Sequence, residues 1–241
     1  IADVLDLDFK RIQFTPDLMP SDILGAEVLD KDRNFKFNRG PIFSNIILAD
    51  EINRTPPKTQ AALLEAMQER TVTIAGDKHS LPSPFFVLAT QNPIEQEGTY
   101  PLPEAQVDRF MMKVIVNYPS MQEEMEIMRR NLSGEIHQEI APVIHQNDIL
   151  KARESVKKVY MDERIEKYIL NIIFATRNPT QFKLDDIADL IQYGASPRAS
   201  IFMAMAAKAQ AFINHRGFVI PDDVQFVAKD ILRHRIGLSF E

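Results

Sequence analysis

Two adjacent carboxylates follow a short apolar run in the N-terminal half of the chain. The run spans Asn45 to Ala49, and Asp50 and Glu51 come directly after it. Such a run is typical of a strand buried on both faces, and parallel α/β sheets bind ligands at the carboxyl ends of their strands. Carboxylates at that edge can hold Mg²⁺ and orient a water molecule. A solvated acidic turn would leave the same pattern, so both interpretations stay open at this point.

Three further side chains could complete a site for phosphoryl transfer. Asn92 follows the apolar run 85–90, so we expect its amide at the same sheet edge, where it can fix the attacking water or the terminal phosphate. Arg109 and Arg198 are cations that can balance the charge developing on the phosphate. Each has a simpler interpretation: Asn92 as a turn residue, Arg109 as a cation at a helix end, and Arg198 as a solvated helix charge.

The elements that position these residues alternate between strands and helices. Four apolar segments are predicted strands: 8–15, 45–49, 85–90 and 112–116. A helix is predicted from Lys58 to Arg70, with Leu63 and Met67 on one face, and a shorter helix ends at Phe110. This order predicts an α/β fold in which helices flank a parallel sheet.

Two hairpins are predicted beside this sheet. In the segment 34–43, Phe35 and Phe37 alternate with polar residues before a Gly-Pro turn. In the segment 71–81, an alternating strand runs into a turn at Gly76 and returns. Hairpins of this kind either engage a partner or only pack against the protein, and the sequence leaves both open.

The pattern changes after residues 117–119, where a domain boundary is predicted. Beyond it, apolar residues recur at helical spacing behind helix starts at Asp162 and Pro221. Residues 119–241 are therefore predicted to form an all-helical domain. The stripe of methionines within 121–132 is expected to fill the core of that domain, because methionine usually serves as a packing residue.

Composition narrows the classes of protein. The chain has 241 residues, of which 45% are hydrophobic and 26% charged, which is ordinary for a globular protein. No apolar run approaches the roughly 20 residues that span a bilayer. Cysteine is absent, which fits a reducing compartment such as the cytoplasm. A net charge of -6 argues against an extended nucleic-acid surface, and the histidines show no pair at metal-ligand spacing.

Five segments, in this order, resemble the MoxR family of AAA+ ATPases. They are 47–54 (ILADEINR), 89–93 (ATQNP) with Glu95 after it, 97–101 (EGTYP), 102–110 (LPEAQVDRF) and 193–200 (YGASPRAS). The resemblance covers essentially the whole chain. It implies an AAA+ nucleotide-binding core in residues 1–118, with a parallel sheet flanked by helices, and an all-helical lid domain in residues 119–241.

The resemblance also implies a role for each candidate residue. Asp50 and Glu51 correspond to the Walker B pair, with Asp50 on Mg²⁺ and Glu51 next to the attacking water. Asn92 corresponds to sensor 1, Arg109 to the arginine finger and Arg198 to sensor 2. The substrate is then ATP with Mg²⁺. Because an arginine finger enters a neighbouring site, the resemblance implies a homo-oligomeric ring, a hexamer in relatives, that remodels a protein client. Von Willebrand A domain proteins are partners of relatives.

One expected motif does not occur in this sequence. The family's phosphate loop reads Gly-x-x-x-x-Gly-Lys-Ser/Thr, and no Gly-Lys dipeptide is found among the 241 residues. That loop supplies the backbone amides and the lysine that cradle the phosphates, so this chain alone is expected to bind ATP weakly or not at all. The chain opens at Ile1, partway along a helical pattern, and we expect the loop to lie upstream of it.

Two other classes of function stay open on the sequence. A DNA-remodelling AAA+ motor would share the same hairpins, although neither hairpin carries a basic stripe. A non-hydrolysing protein that keeps the AAA+ fold as an interaction scaffold would lack the phosphate loop in its full gene. Salt-dependent DNA binding would favour the first alternative, and the upstream sequence would decide the second.

Overall fold

The computed structural model describes residues 1–29, 31, 33–91, 98–133 and 141–239. The strands are β1 (Phe9–Gln13), β2 (Gly25–Leu29), β3 (Phe35–Arg39), β4 (Ile46–Asp50), β5 (Thr71–Ile74), β6 (Asp77–Ser80), β7 (Phe86–Ala89), β8 (Ile191–Tyr193) and β9 (Gly237–Leu238). The helices are α1 (Pro20–Leu24), α2 (Pro57–Glu69), α3 (Glu104–Val107), α4 (Met121–Ser133), α5 (Gln146–Lys158), α6 (Glu163–Arg177), α7 (Asp185–Ala188), α8 (Pro197–Ile213) and α9 (Pro221–Leu232).

A three-stranded parallel sheet lies at the centre of the N-terminal half. The strand order is β1–β4–β7, and β4 pairs with both neighbours in parallel register. Ile47 and Ala49 on β4 are fully buried, because parallel strands are covered on both faces. Leu63 and Leu64 of α2 are also fully buried in the same apolar cluster. The predicted α/β fold class, with helices flanking a parallel sheet, is confirmed.

A second apolar cluster organises the C-terminal half. It is built from α6, α8 and α9, with Ile173, Met203 and Ile231 fully buried at its centre. Small side chains such as Ala207 and Ala211 on α8 have no exposed surface, which lets this helix pack closely against its neighbours. The half is helical as predicted, apart from the short antiparallel pair β8–β9, which the helical periodicity gave no sign of.

The first predicted hairpin has different bounds from those expected. The prediction confined it to residues 34–43, but β3 pairs antiparallel with β2, and residues 41–43 form a 3-10 turn. Gly25 and Gly40 lie at the base of this hairpin, where a Cβ on either residue would come within 2.6 Å of backbone atoms of the other segment. β2 was missed because Ala26 and Glu27 have low strand propensity. The second hairpin, β5–β6, is confirmed.

The predicted strand at 112–116 does not form. Its backbone pairs with no described strand: the Lys113 amide donates to the Asp230 carbonyl at 2.8 Å, and Arg233 donates to the Lys113 carbonyl at 2.6 Å. Val116 is 91% exposed. An apolar sequence favours a strand only where a neighbouring strand accepts its backbone groups, and here the end of α9 takes that place.

The methionine stripe forms a helix but does not fill a core. Helix α4 carries the predicted periodicity, yet none of its residues is buried in the described structure. Met121 is 81% exposed and Met128 is 55% exposed. Helical spacing predicts a shared face and not what covers that face.

In the described part of the chain, no helix is long and apolar enough to cross a membrane.

Candidate functional site

The carboxylates of Asp50 and Glu51 lie at the carboxyl edge of the parallel sheet. Asp50 is the last residue of β4, and Glu51 adopts a left-handed backbone conformation with φ 55° and ψ 50°. This conformation is uncommon for residues other than glycine and often marks a functional position. It ends the strand at once, so two consecutive carboxylates are presented where the strand stops.

Thr90, at the end of the neighbouring strand, fixes the position of this pair. Its hydroxyl donates to Oδ1 of Asp50 at 2.5 Å and accepts a hydrogen bond from the Glu51 amide at 2.8 Å. Its own amide donates to the Ala49 carbonyl, and its carbonyl accepts from Ile52. Four hydrogen bonds therefore join the ends of β4 and β7.

Two side chains from β1 connect the carboxylates from the other side. Arg11 Nε donates to Oδ2 of Asp50 at 3.0 Å, and Arg11 Nη2 donates to Oε1 of Gln13 at 2.9 Å. Gln13 Nε2 in turn donates to Oε2 of Glu51 at 3.2 Å. Because one Arg–Gln pair contacts both acids, Asp50 and Glu51 present their carboxylates to the same side of the sheet edge.

These contacts favour the charged form of Asp50. The Thr90 hydroxyl and the Arg11 guanidinium hydrogen-bond to it and lower its pKa below the usual value of 3.8, against the opposing effect of burial. An ionised carboxylate at this edge fits Mg²⁺, which proteins hold through one or two carboxylates together with water and substrate phosphates. Arg11 lies on Oδ2, so a metal ion coordinated by that oxygen would displace it.

The predicted cations lie elsewhere, around Asp108. Arg198, in the first turn of α8, donates to Oδ2 of Asp108 at 3.2 Å, and its side chain is 43% exposed. Arg109 directly follows Asp108 in the chain, and its buried Nε lacks a hydrogen-bond partner in the described structure. Among the described residues, neither arginine forms an ion pair with Asp50 or Glu51.

Asp108 is the acceptor for several groups of the C-terminal half. The Ser196 hydroxyl, which also caps α8, lies 2.8 and 2.9 Å from its two carboxylate oxygens. Arg235 Nε donates to Oδ1 at 2.8 Å. Burial is the largest single effect on the pKa of Asp108 and raises it, but the hydrogen bonds from Ser196 and Arg198 and the charge of Arg235 outweigh it, so the pKa is lowered.

The predicted residues thus form two groups in the described chain. Asp50 and Glu51 lie together at the sheet edge, whereas Arg198 contacts Asp108 and Arg109 is the next residue in the chain after Asp108. Asn92 lies outside the described residues. The sequence reasoning missed Thr90, Arg11, Asp108 and Arg235. Thr90 and Asp108 stand inside the motifs 89–93 and 102–110, so the motifs signalled them, whereas Arg11 and Arg235 had no sequence signal.

Comparison with known proteins gives matches along the chain. The family model described as "ATPase family associated with various cellular activities (AAA)" matches residues 1–112, and an AAA lid domain model matches residues 185–241. The chain is 47% identical to the uncharacterized protein YeaC of Bacillus subtilis, over 100% of this chain and 73% of YeaC. It is 46% identical to chaperone MoxR1 of Mycobacterium tuberculosis, over 100% of this chain and 63% of MoxR1.

A solved structure matches as well. The crystal structure of a proposed ATPase from Cytophaga hutchinsonii superposes with a TM-score of 0.93 at 52% identity, and the match covers 99% of this chain and 73% of that one. The present chain therefore spans about three quarters of two of these proteins and less than two thirds of MoxR1.

Proposed function

This chain belongs to the MoxR family of AAA+ ATPases, and from that premise we propose that the full-length protein hydrolyses ATP at Asp50 and Glu51 and uses the cycle to remodel a client protein. The observation that carries the proposal is the pair of carboxylates bridged by Arg11 and Gln13 at the sheet's carboxyl edge. An acidic surface turn would not need a threonine and an Arg–Gln pair to hold both acids in place.

Each acid has a distinct role in this proposal. Asp50, held ionised by Thr90 and Arg11, would hold the Mg²⁺ that accompanies ATP, which would supply positive charge next to the phosphates. Glu51 orients and polarises the attacking water. Asn92 is assigned to hold the water or terminal phosphate from the adjacent strand end. The proposal also requires a phosphate loop, which we expect in a part of the protein outside this chain.

The two arginines, Arg198 and Arg109, supply the positive charge in the proposed site. Arg198, on α8 of the lid, is assigned as sensor 2, a cation for the nucleotide phosphates. Arg109 is assigned, as the arginine finger, to the site of a neighbouring subunit, and in the described structure it makes no ion pair with its own Asp50 or Glu51. The proposal therefore includes a homo-oligomeric ring, a hexamer as in relatives, working in the cytoplasm on a protein client such as a von Willebrand A domain protein. The domain division at residues 118 and 119 is part of the same proposal.

Replacing Glu51 by glutamine in the full-length protein tests the assignment. The change removes the charge that polarises the water and keeps the shape of the side chain. ATP turnover should fall by about 10²- to 10⁴-fold, while ATP binding, measured with a fluorescent analogue, should be retained. Glu65→Gln on the exposed face of α2 is the matched control and should leave turnover unchanged. Wild-type turnover in the Glu51→Gln protein would show that the water-orienting residue has been assigned wrongly.

A further inference from the structure

The peptide on both sides of Arg109 is bonded to the end of α9. Arg235 donates to the Asp108 carbonyl at 2.9 Å and also to the Phe110 carbonyl. Nε2 of His234 lies 3.1 Å from the same Phe110 carbonyl, and since a carbonyl only accepts, this nitrogen carries the proton. Two consecutive lid residues therefore hold the carbonyls that flank Arg109.

The attachment continues along the following residues. Arg235 also donates to the Met111 carbonyl at 3.2 Å, Arg233 donates to the Lys113 carbonyl at 2.6 Å, and the Lys113 amide donates to the Asp230 carbonyl at 2.8 Å. Residues 108–113 thus form a strap along the end of α9. The same residues also mark the junction of the two apolar clusters, because Phe110 packs against the first and Met111 against the second.

The side chain of Asp108 adds a second attachment between the two halves. Its two arginine partners differ in how deeply they are buried and in how many hydrogen bonds hold them. Arg235 has no exposed side-chain surface and is bonded to four carbonyls as well as to the carboxylate. Moving Arg235 would leave a buried charge and several buried acceptors without partners. We therefore expect its contacts with residues 108–111 to persist when the lid moves. Arg198 makes one side-chain bond at 3.2 Å and is 43% exposed, so it can exchange Asp108 for another anion while Ser196 and Arg235 keep the carboxylate in place.

We infer that Asp108 and Arg235 are positioning residues that couple the finger Arg109 to the lid of its own subunit. A lid movement that keeps the contacts of Arg235 carries residues 108–113 with it. Closure of one lid over nucleotide then changes the position of the arginine presented to the adjacent subunit. This inference rests on the proposed function, and it adds the residues that position the finger: Asp108 and Arg235 set where one subunit presents Arg109 to the next.

Asp108→Asn in the full-length protein is the primary test. The amide oxygen can still accept from Arg235 Nε, but the charge is lost and the NH₂ group cannot accept from Ser196 or Arg198. ATP turnover should fall about tenfold to a hundredfold, as expected for a small displacement of a group that acts in the transition state, and the Kd for a fluorescent ATP analogue should change less than twofold. An unchanged turnover would overturn the inference.

Mixed rings identify the subunit in which the defect acts. Subunits carrying Asp108→Asn have an intact Glu51, and subunits carrying Glu51→Gln have an intact Arg109 and Asp108. Mixing the two should therefore restore turnover. Mixing Asp108→Asn with Arg109→Ala should restore none, because both variants fail in the same role. If Asp108 acted only within its own site, the first mixture would stay inactive, and the inference would be wrong.

A matched control separates positioning from general damage to the lid. Asp223 is another buried carboxylate that pairs with an arginine, Arg216, but within the lid and away from residues 108–113. Asp223→Asn should lower the melting temperature, yet below that temperature it should leave turnover intact. Equal losses of turnover in both variants would favour a merely structural role for Asp108.

Two further outcomes keep the test decisive. If Asp108→Asn does not fold, as judged by circular dichroism, Arg235→Lys takes its place: a lysine keeps the charge near Asp108 but cannot bond four carbonyls at once, and the same pattern of rescue is expected. If wild-type protein shows no ATP turnover, or Arg109→Ala retains full turnover, the proposed function itself fails, which is distinct from a failure of rescue.

Discussion

At the scale of single residues, Thr90 is the side chain on which the carboxylate pair depends most directly. It donates to Asp50 and accepts from the amide of Glu51, and its hydrogen bond is the largest cause of the lowered pKa of Asp50. In the proposed site Asp50 holds Mg²⁺, and a residue that orients such a carboxylate is expected to affect metal affinity without touching the metal. Its contribution should therefore appear in the Mg²⁺ dependence of the reaction.

Thr90→Val tests this role, because valine keeps the shape of threonine and removes the hydroxyl. The pKa of Asp50 should rise toward its usual value, and the carboxylate should lose its fixed orientation. In the full-length protein, the Mg²⁺ concentration that gives half-maximal ATP turnover should rise about tenfold, in the range usual for such supporting residues. Thr73→Val on the exposed side of β5 is the control. An unchanged Mg²⁺ dependence in Thr90→Val would contradict the role.

The two acids could be predicted from the sequence because they are consecutive and end an apolar run. Arg11 could not, because it reaches Asp50 only through the parallel register of β1 and β4, which places Gln13 beside Asp50. Arg235 lies 127 residues from the carboxylate it contacts. Single-sequence patterns carry local periodicity, and both contacts depend on which distant segments the fold brings together.

At the scale of elements, the end of α9 is the most consequential feature. Arg233, His234 and Arg235 each bond to a carbonyl in residues 108–113, so a helix terminus serves as the joint of two halves. These contacts with the end of α9 also explain why 112–116 is not a strand.

β2 and the exposure of α4 were mispredicted for a related reason: strand pairing and burial are set by neighbours, while helical period and capping are local.

His234 makes this joint sensitive to acid. Burial lowers its pKa from 6.5 to about 4, so the folded protein holds the ring neutral where the unfolded chain would be protonated. Between these values the unfolded state binds more protons, and stability must fall as pH decreases. The full stabilisation is present above pH 6.5, and it is lost progressively as pH falls toward 4.

Comparing wild type with His234→Gln isolates this contribution. Glutamine can donate to the Phe110 carbonyl as Nε2 of the imidazole does, but it does not titrate. In urea denaturation between pH 7 and pH 4, the free energy of unfolding of the variant should fall less steeply than that of wild type. The difference between the two slopes removes the shared effect of the carboxylates. Identical slopes would show that His234 is not held neutral by the fold.

At the scale of the whole molecule, the candidate residues are divided between two places. Asp50 and Glu51 lie at the sheet edge, while Arg109 belongs to the strap 108–113 that joins the two apolar clusters. A finger fixed at the junction of core and lid can serve a site other than its own only when subunits assemble side by side. The position of Arg109 therefore fits the proposed ring, in which the finger serves the neighbouring site.

Mixing Arg109→Ala with Glu51→Gln subunits tests this division. Each variant alone should be nearly inactive, one for lack of a finger and the other for lack of the water-orienting acid. In an equal mixture, half of the subunits retain Glu51 and about half of those have a neighbour with an intact Arg109, so turnover should recover to about one quarter of the wild-type value. Recovery requires subunit exchange, so a mixture of cross-linked parental rings should stay inactive. A monomer that hydrolyses ATP at the wild-type rate, or a mixture that stays as inactive as its parents after exchange, would show that Arg109 does not act between subunits.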